Sequence, residues 1–306
     1  MLENFLTVGH QVLVLFILMA IGAIANRRRL IDSQAINGMT NLVLYFVTPC
    51  VIISSFQREA NMELFKGLLL TGGLAFLVHF IFIAVTNMLI HDDDKAKEKV
   101  FKFAAIFSNC GFMSLPIQAA VLGDIGVFYG SVYVAVFNVV LWTYGLAMMS
   151  GDAKEIKVSK LIFNPGIVGI FFGILIFVFQ IDLPSIISSP VDYMASLNTP
   201  LPMVIIGYYL GDLKLEHLKS NTKQYLAILL RLVVLPLVAV AVFKLAGVDT
   251  TIATVCTIAS CAPVAAVTAM FANRFNRDAR LAAQIVSVST LFSLVTIPLM
   301  VALVQM

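Results

Sequence analysis

Apolar runs of about twenty residues, the length that crosses a bilayer as a helix, follow one another along nearly the whole of this chain. The chain is 60% hydrophobic and 12% charged, where a soluble domain carries roughly 25% charged residues. Its fold class therefore reads as an all-α polytopic membrane protein. Reading windows of span length places ten candidates at roughly 5–26, 34–56, 64–90, 100–122, 125–149, 162–180, 191–211, 222–246, 250–272 and 279–304. The first segment, MLENFLTVGHQVLVLF, has no basic cluster ahead of its apolar run, so it reads as a retained span and not as a signal peptide.

The basic residues test this count. Arg27, Arg28 and Arg29 fall in the first loop; Lys95, Lys97, Lys99 and Lys102 in the third; Lys154, Lys157 and Lys160 in the fifth; Lys214, Lys219 and Lys223 in the seventh; Arg274, Arg277 and Arg280 in the ninth. Sixteen of the twenty Lys and Arg thus lie in odd-numbered loops. Positive charge collects on the cytoplasmic side, which puts both termini outside and residues 181–190 outside with them. The even side keeps only Arg58, Lys66 and Lys244.

Two spans are interrupted in the same way. SNCGFMSLPI (108–117) and SCAPVAAV (260–267) each carry a proline near mid-span, and Pro116 and Pro263 stand 147 residues apart, close to half of 306. Proline lacks the N–H and its ring clashes with the preceding turn, so a helix breaks or kinks there. Such backbone is tolerated at membrane depth only where protein or a wet cavity surrounds it. A second pair of landmarks, Thr48-Pro49 and Thr199-Pro200, is offset by 151 residues. Five spans per half is an odd number, so the halves are expected as inverted repeats: residues 1–149 (spans 1–5), a short cytoplasmic linker at 150–161, and residues 162–306 (spans 6–10). Interrupted spans in corresponding positions of two halves point to a transporter's binding site.

Helices restarting near Pro116 and Pro263 would present unpaired N–H groups and partial positive charge to one cavity, an anion-binding arrangement. Asn109, Ser108 and Ser260 add side-chain hydrogen bonds, and Gly111 permits close backbone approach. The plain alternative is a pair of kinked packing helices. Cys110 and Cys261 flank the breaks; with Cys50 and Cys256 they read first as small apolar packing residues. No acidic residue falls well inside a span, whereas proton- and sodium-driven carriers often keep one there. Arg231, in RLVVLPL of the eighth span, is the one deeply placed basic residue. Binding an anionic substrate, bracing the crossing, and snorkelling towards the cytoplasm all stand open for it. His79 in the third span reads first as a hydrogen-bonded core histidine, with a proton relay as the sharper option. Asn138, Ser287, Ser289 and Thr290 are explained by helix–helix hydrogen bonding. No nucleotide, metal or nucleophile motif is present, so neither cofactor, metal, enzymatic activity nor nucleic-acid partner is expected.

Several stretches together resemble the auxin efflux carrier family, whose members include plant PIN-type exporters and bacterial permeases for malate and similar acids. They are GAIANRRRLIDSQAINGMTNLVLYFVTPCVIISSF (22–56), SNCGFMSLPI (108–117), RLVVLPL (231–237), CAPVAAVTAMFANRFNRD (261–278) and VSVSTLFSLVTIPL (286–299). The resemblance implies ten spans in two inverted five-span repeats, with spans 4 and 9 crossing at their prolines, as in the bile-acid symporter and sodium–proton antiporter fold. It implies a scaffold from spans 1, 2, 6 and 7, a mobile unit from spans 3–5 and 8–10, homodimerisation and elevator-type movement. Carried onto this chain, the substrate site gathers Asn109, Cys110, Gly111 and Pro116 with Ser260, Cys261, Pro263 and Arg231. Ser108, Thr48, Pro49, His79, Asn138 and Thr199 stand behind them. Two departures from the plant branch point away from auxin: a short 150–160 segment, and no acidic residue in the third span beyond its start. The expected function is a secondary carrier of small organic anions, dicarboxylates such as malate first, in the plasma or inner membrane. A sodium- or proton-coupled exchanger is the alternative, and a membrane receptor using the same pocket a more distant one.

Overall fold

The computed structural model describes residues 2–156, 159, 163–211 and 222–306, with side chains from Val8 onward. Lys157, Lys160, Lys214 and Lys219, and with them the second part of the linker and the start of the sixth span, lie outside the described residues. Among the described residues the fold is helical, with no strand beyond one isolated bridge. The helices are α1 (Leu2–Arg27), α2 (Ser33–Phe56), α3 (Met62–Leu89), α4 (Lys95–Ile106), α5 (Cys110–Leu122), α6 (Asp124–Ser150), α7 (Pro165–Phe179), α8 (Ser185–Ser196), α9 (Pro200–Gly211), α10 (Thr222–Leu245), α11 (Thr250–Cys261), α12 (Val267–Arg274) and α13 (Ala279–Gln305). Six of them, α1, α2, α3, α6, α10 and α13, are long and apolar enough to cross a membrane; α5, α7 and α11 are shorter apolar helices.

Helix starts follow local chemistry. Asp32, Asn61, Asp94, Asn164, Asp249 and Asp278 each accept hydrogen bonds from the first turn of the helix they precede, the side-chain capping that satisfies orphan N–H groups. Proline shapes the interiors. Pro49, Pro116 and Pro236 each follow a single π turn, at Val43–Val47, Cys110–Ser114 and Leu230–Val234. A proline ring collides with the carbonyl four residues back. The extra residue of a π turn rotates that carbonyl aside, so the helix continues instead of ending. In α11 the chain does stop: Ala262 turns extended (φ −58, ψ 150) just before Pro263.

Two apolar cores hold the helices. The larger gathers side chains chiefly from α3, α4, α6, α10 and α11, with Phe56 and Phe177 joining it from α2 and α7. The smaller joins Val8, Val12, Leu15 and Met19 of α1 and Met203 and Ile206 of α9 to Met113 and Ile117 of α5 and Ile258 and Cys261 of α11. Backbones touch where α1 meets α9: a methyl group on Gly22 would overlap the Val204 carbonyl, and one on Gly207 the Met19 carbonyl. The Asn26 amide then donates to the Tyr208 carbonyl at 2.7 Å. Large apolar side chains such as Ile17, Leu69, Phe80, Phe171 and Val295 remain exposed around the outside, as lipid-facing positions would be.

Candidate functional site

The two interrupted segments meet. Asn109 N–H donates to the Pro263 carbonyl at 2.7 Å, and Ala265 N–H donates to the Phe107 carbonyl at 3.0 Å. Together they frame one antiparallel bridge between Ser108 and Val264. Each unwound strand thus supplies the backbone partner its own helix has given up, which is what buried broken backbone requires. Ser289 of α13 completes the rung: its hydroxyl accepts from Val264 N–H at 3.1 Å and donates to the Val286 carbonyl at 2.9 Å.

The crossing has two electrically distinct sides. On one side α4 and α11 end. Their last carbonyls have no onward helical partner and carry partial negative charge. Arg231, completely buried at 0% exposure, sits between them. Its Nη1 donates to the carbonyls of Ala105 (3.1 Å) and Ile106 (2.8 Å), and its Nη2 to the carbonyl of Ser260. Its guanidinium lies 5.0 Å from the centroid of Phe82 on α3. No carboxylate pairs with it among the described residues. The neutralising charge comes from the backbone: each helix end contributes roughly −0.5 of an elementary charge, so two ends together balance one guanidinium. Its Nε has no hydrogen-bond partner among the described residues.

On the other side α5 and α12 begin. In contrast to α2, α3, α4, α7, α11 and α13, and like α6 and α8, neither has a side-chain cap: Asn109 and Ala266 occupy the cap positions without capping bonds. The Asn109 carbonyl accepts from Met113 N–H at 3.1 Å, but its side-chain amide bonds to no described residue, although the residue is only 7% exposed. Gly111, next in line, has open space beside it: a Cβ there would meet only Val134 Cγ1, at 3.9 Å. Cys110 is buried, and its carbonyl accepts from the Ser114 hydroxyl. Pro116 is buried at the start of the regular part of α5.

The remaining candidates divide by place. Ser260 and Cys261 are buried and turned back on α11, bonding Thr257 O (3.1 Å) and Ile258 O (3.6 Å). Pro263 gives its carbonyl to the rung, and Ser108 lies beside it. His79 of α3 bonds the Ala75 carbonyl of its own helix at 2.7 Å and packs in a tilted contact against Tyr133, ring centroids 5.5 Å apart. Thr48, Pro49 and Asn138 sit where α7 packs on α2 and α6. A Cβ on Gly169 would lie 3.1 Å from Pro49 Cα, and one on Gly166 would lie 3.1 Å from Asn138 Nδ2. The Asn138 amide bonds Val134 O at 2.9 Å, and the buried Thr48 hydroxyl has no partner among the described residues. Thr199 sits in the turn before α9. Among the described residues no His, Cys, Asp and Glu side chains cluster as metal ligands would.

Sequence reasoning passed over Gln118. It is fully buried, its Nε2 donates across to the Val255 carbonyl of α11 at 3.0 Å, and its Oε1 has no hydrogen-bond partner among the described residues. Gly130 leaves it room, since a Cβ there would overlap that amide. A glutamine two residues past a mid-span proline was the available signal. Ser289, taken from sequence as a helix–helix contact, serves the unwound strand instead.

The sequence profile of the membrane transport protein family matches residues 7–301. The chain belongs to that family. It is also similar to an uncharacterized transporter from Methanocaldococcus jannaschii, at 24% identity over 218 residues, 67% of this chain and 70% of that one.

Proposed function

We propose that this member of the membrane transport protein family carries small organic anions across a cell membrane, with dicarboxylates such as malate the first class to test. The observation that carries the reading is the paired crossing of residues 107–109 and 263–265, with the unbonded Asn109 amide beside two uncapped helix starts. Uncapped helix starts attract an anion through their N–H groups and dipoles. An amide that both donates and accepts can hold a carboxylate while bonding freed backbone. Arg231 faces the opposite, C-terminal side and is engaged by three carbonyls, so its part is to hold the two broken helices together.

In the same proposal the chain makes ten passes as two inverted repeats (1–149 and 162–306) and works as a homodimer. The unit formed by spans 3–5 and 8–10 moves against spans 1, 2, 6 and 7. The packing supports this division, because Met113 and Ile117 beside the crossing rest on α1 and α9 in a shared apolar cluster. Such an interface slides without breaking hydrogen bonds. The deciding experiment is uptake of labelled C4 dicarboxylates and monocarboxylates by proteoliposomes, with and without sodium and proton gradients. Saturable uptake of at least one acid is expected. If no organic acid moves while sodium or protons do, the anion-carrier reading falls.

A further inference from the structure

We propose that Arg231 is a built-in cation, its guanidinium filling a carbonyl-lined cradle between the two broken helices that would otherwise draw a sodium ion from solution. The cradle is made of main chain alone. The carbonyls of Ala105 and Ile106 come from the end of α4 and that of Ser260 from the end of α11. Carbonyl oxygens converging at short range replace the hydration shell of a monovalent cation, and here they sit where two helix dipoles present their negative ends. Among the described residues Arg231 is the charged side chain bonded to these carbonyls. Lys102, one turn before the end of α4, is paired with Glu98 at 2.7 Å, and the other buried polar groups at the crossing, Ser108, Ser260 and Ser289, are neutral.

A guanidinium suits this place for two physical reasons. It does not deprotonate in proteins, so the charge is permanent, and its planar fork reaches several acceptors at once. Phe82 covers it, adding a cation–π contact at 5.0 Å. The arrangement deepens the carrier reading and rests on it for one consequence. A crossing that carries its own fixed cation has no vacancy to be filled or emptied in each cycle, so anion movement would need no accompanying sodium. Arg231 is in this sense a positioning residue, acting through the two helix ends and not on the substrate.

The test reads cradle occupancy directly, by thermal melts of purified protein at constant ionic strength, with sodium chloride exchanged for choline chloride. The parent protein is expected to melt at the same temperature in both. Arg231→Ala is expected to melt lower in choline and to recover by about 3 °C or more in sodium chloride, and likewise with methylguanidinium chloride, which returns the missing group. Should the alanine variant fail to purify, Arg231→Gln carries the same test, with Arg231→Lys as the charge-retaining control. Arg231→Lys keeps the charge and so is expected to melt alike in sodium and choline, as the parent does, whereas the neutral Arg231→Gln leaves the charge unmet and is expected to be stabilised by sodium and by methylguanidinium. Neutral variants that respond to neither cation overturn the proposal, as does a parent protein whose own melt rises with sodium. Because the melt does not depend on flux, its failure leaves the anion-carrier reading standing, and an absence of flux leaves the cradle standing.

Discussion

Asn109 is the residue on which the proposed site turns, because it is largely buried and its amide bonds to no described residue. A hydrogen bond to a charged group contributes about 1.5–3 kcal/mol, so Asn109→Ala is expected to weaken substrate binding roughly ten- to a hundredfold. The melting temperature should hold, since the backbone N–H and carbonyl that tie this residue to Pro263 and Met113 are untouched. Calorimetric titration beside a melt checks both; parental affinity in the variant would move the site elsewhere. Glu98 shows the opposite situation, a carboxylate held by charge near the start of α4. Lys102 and Lys95, each at 2.7 Å, hold its carboxyl down from 4.5 to about 2. A folded-state value below the unfolded one means that the contribution is complete above about pH 4.5 and is lost as pH falls towards 2. Glu98→Gln should therefore lower the melt at neutral pH and flatten its decline between about pH 5 and pH 2.5. Parallel parent and variant curves would show that the pairs contribute nothing.

Helices in this fold are positioned by small residues where backbones touch and by proline where they bend. The α1–α9 contact depends on Gly22 and Gly207, each facing a carbonyl of the other helix. Gly207→Ala forces the helices apart, an overpacking cost of about 1–3 kcal/mol. Gly73→Ala in α3 meets nothing within 4 Å, and an exposed mid-helix glycine gains roughly 0.5–1 kcal/mol on becoming alanine. Melts of the two variants are expected to move in opposite directions; equal shifts would mean that the α1–α9 contact is looser than its geometry. The proline signals were legible in sequence because proline acts through its own ring and missing N–H. What they produce was not. Pro49, Pro116 and Pro236 follow π turns and leave their helices running, whereas α11 ends at Cys261 before Pro263. Whether a helix bends or stops is settled by what stands ready to bond the freed carbonyls. At α11 that is Arg231 and the partner strand, both more than twenty residues away in sequence.

At the scale of the whole molecule, the meeting of residues 107–109 with 263–265 was legible because two polar, proline-bearing breaks inside apolar runs have few partners but each other. The direction in which Arg231 points was not, because an arginine nine residues past the start of a helix has no sequence mark telling substrate from backbone. Nor was Gln118, whose importance comes from the α11 carbonyl it reaches. The orientation of the chain in the bilayer rests on charge. Basic residues crowd the ends of α1, α4 and α12, while residues 181–190 hold Asp182 and no Lys or Arg. Moving positive charge across a bilayer during insertion is costly, so the basic ends are expected in the cytoplasm. Single cysteines at Lys154 and Ser185, both exposed, test this in intact cells with a membrane-impermeant thiol reagent. Cys50 is the partly exposed native thiol, and Cys110, Cys256 and Cys261 are buried, so Cys50→Ser supplies the background. Position 185 should label at once, and position 154 only after the membrane is opened. The reverse order would turn the molecule over and place the proposed linker outside.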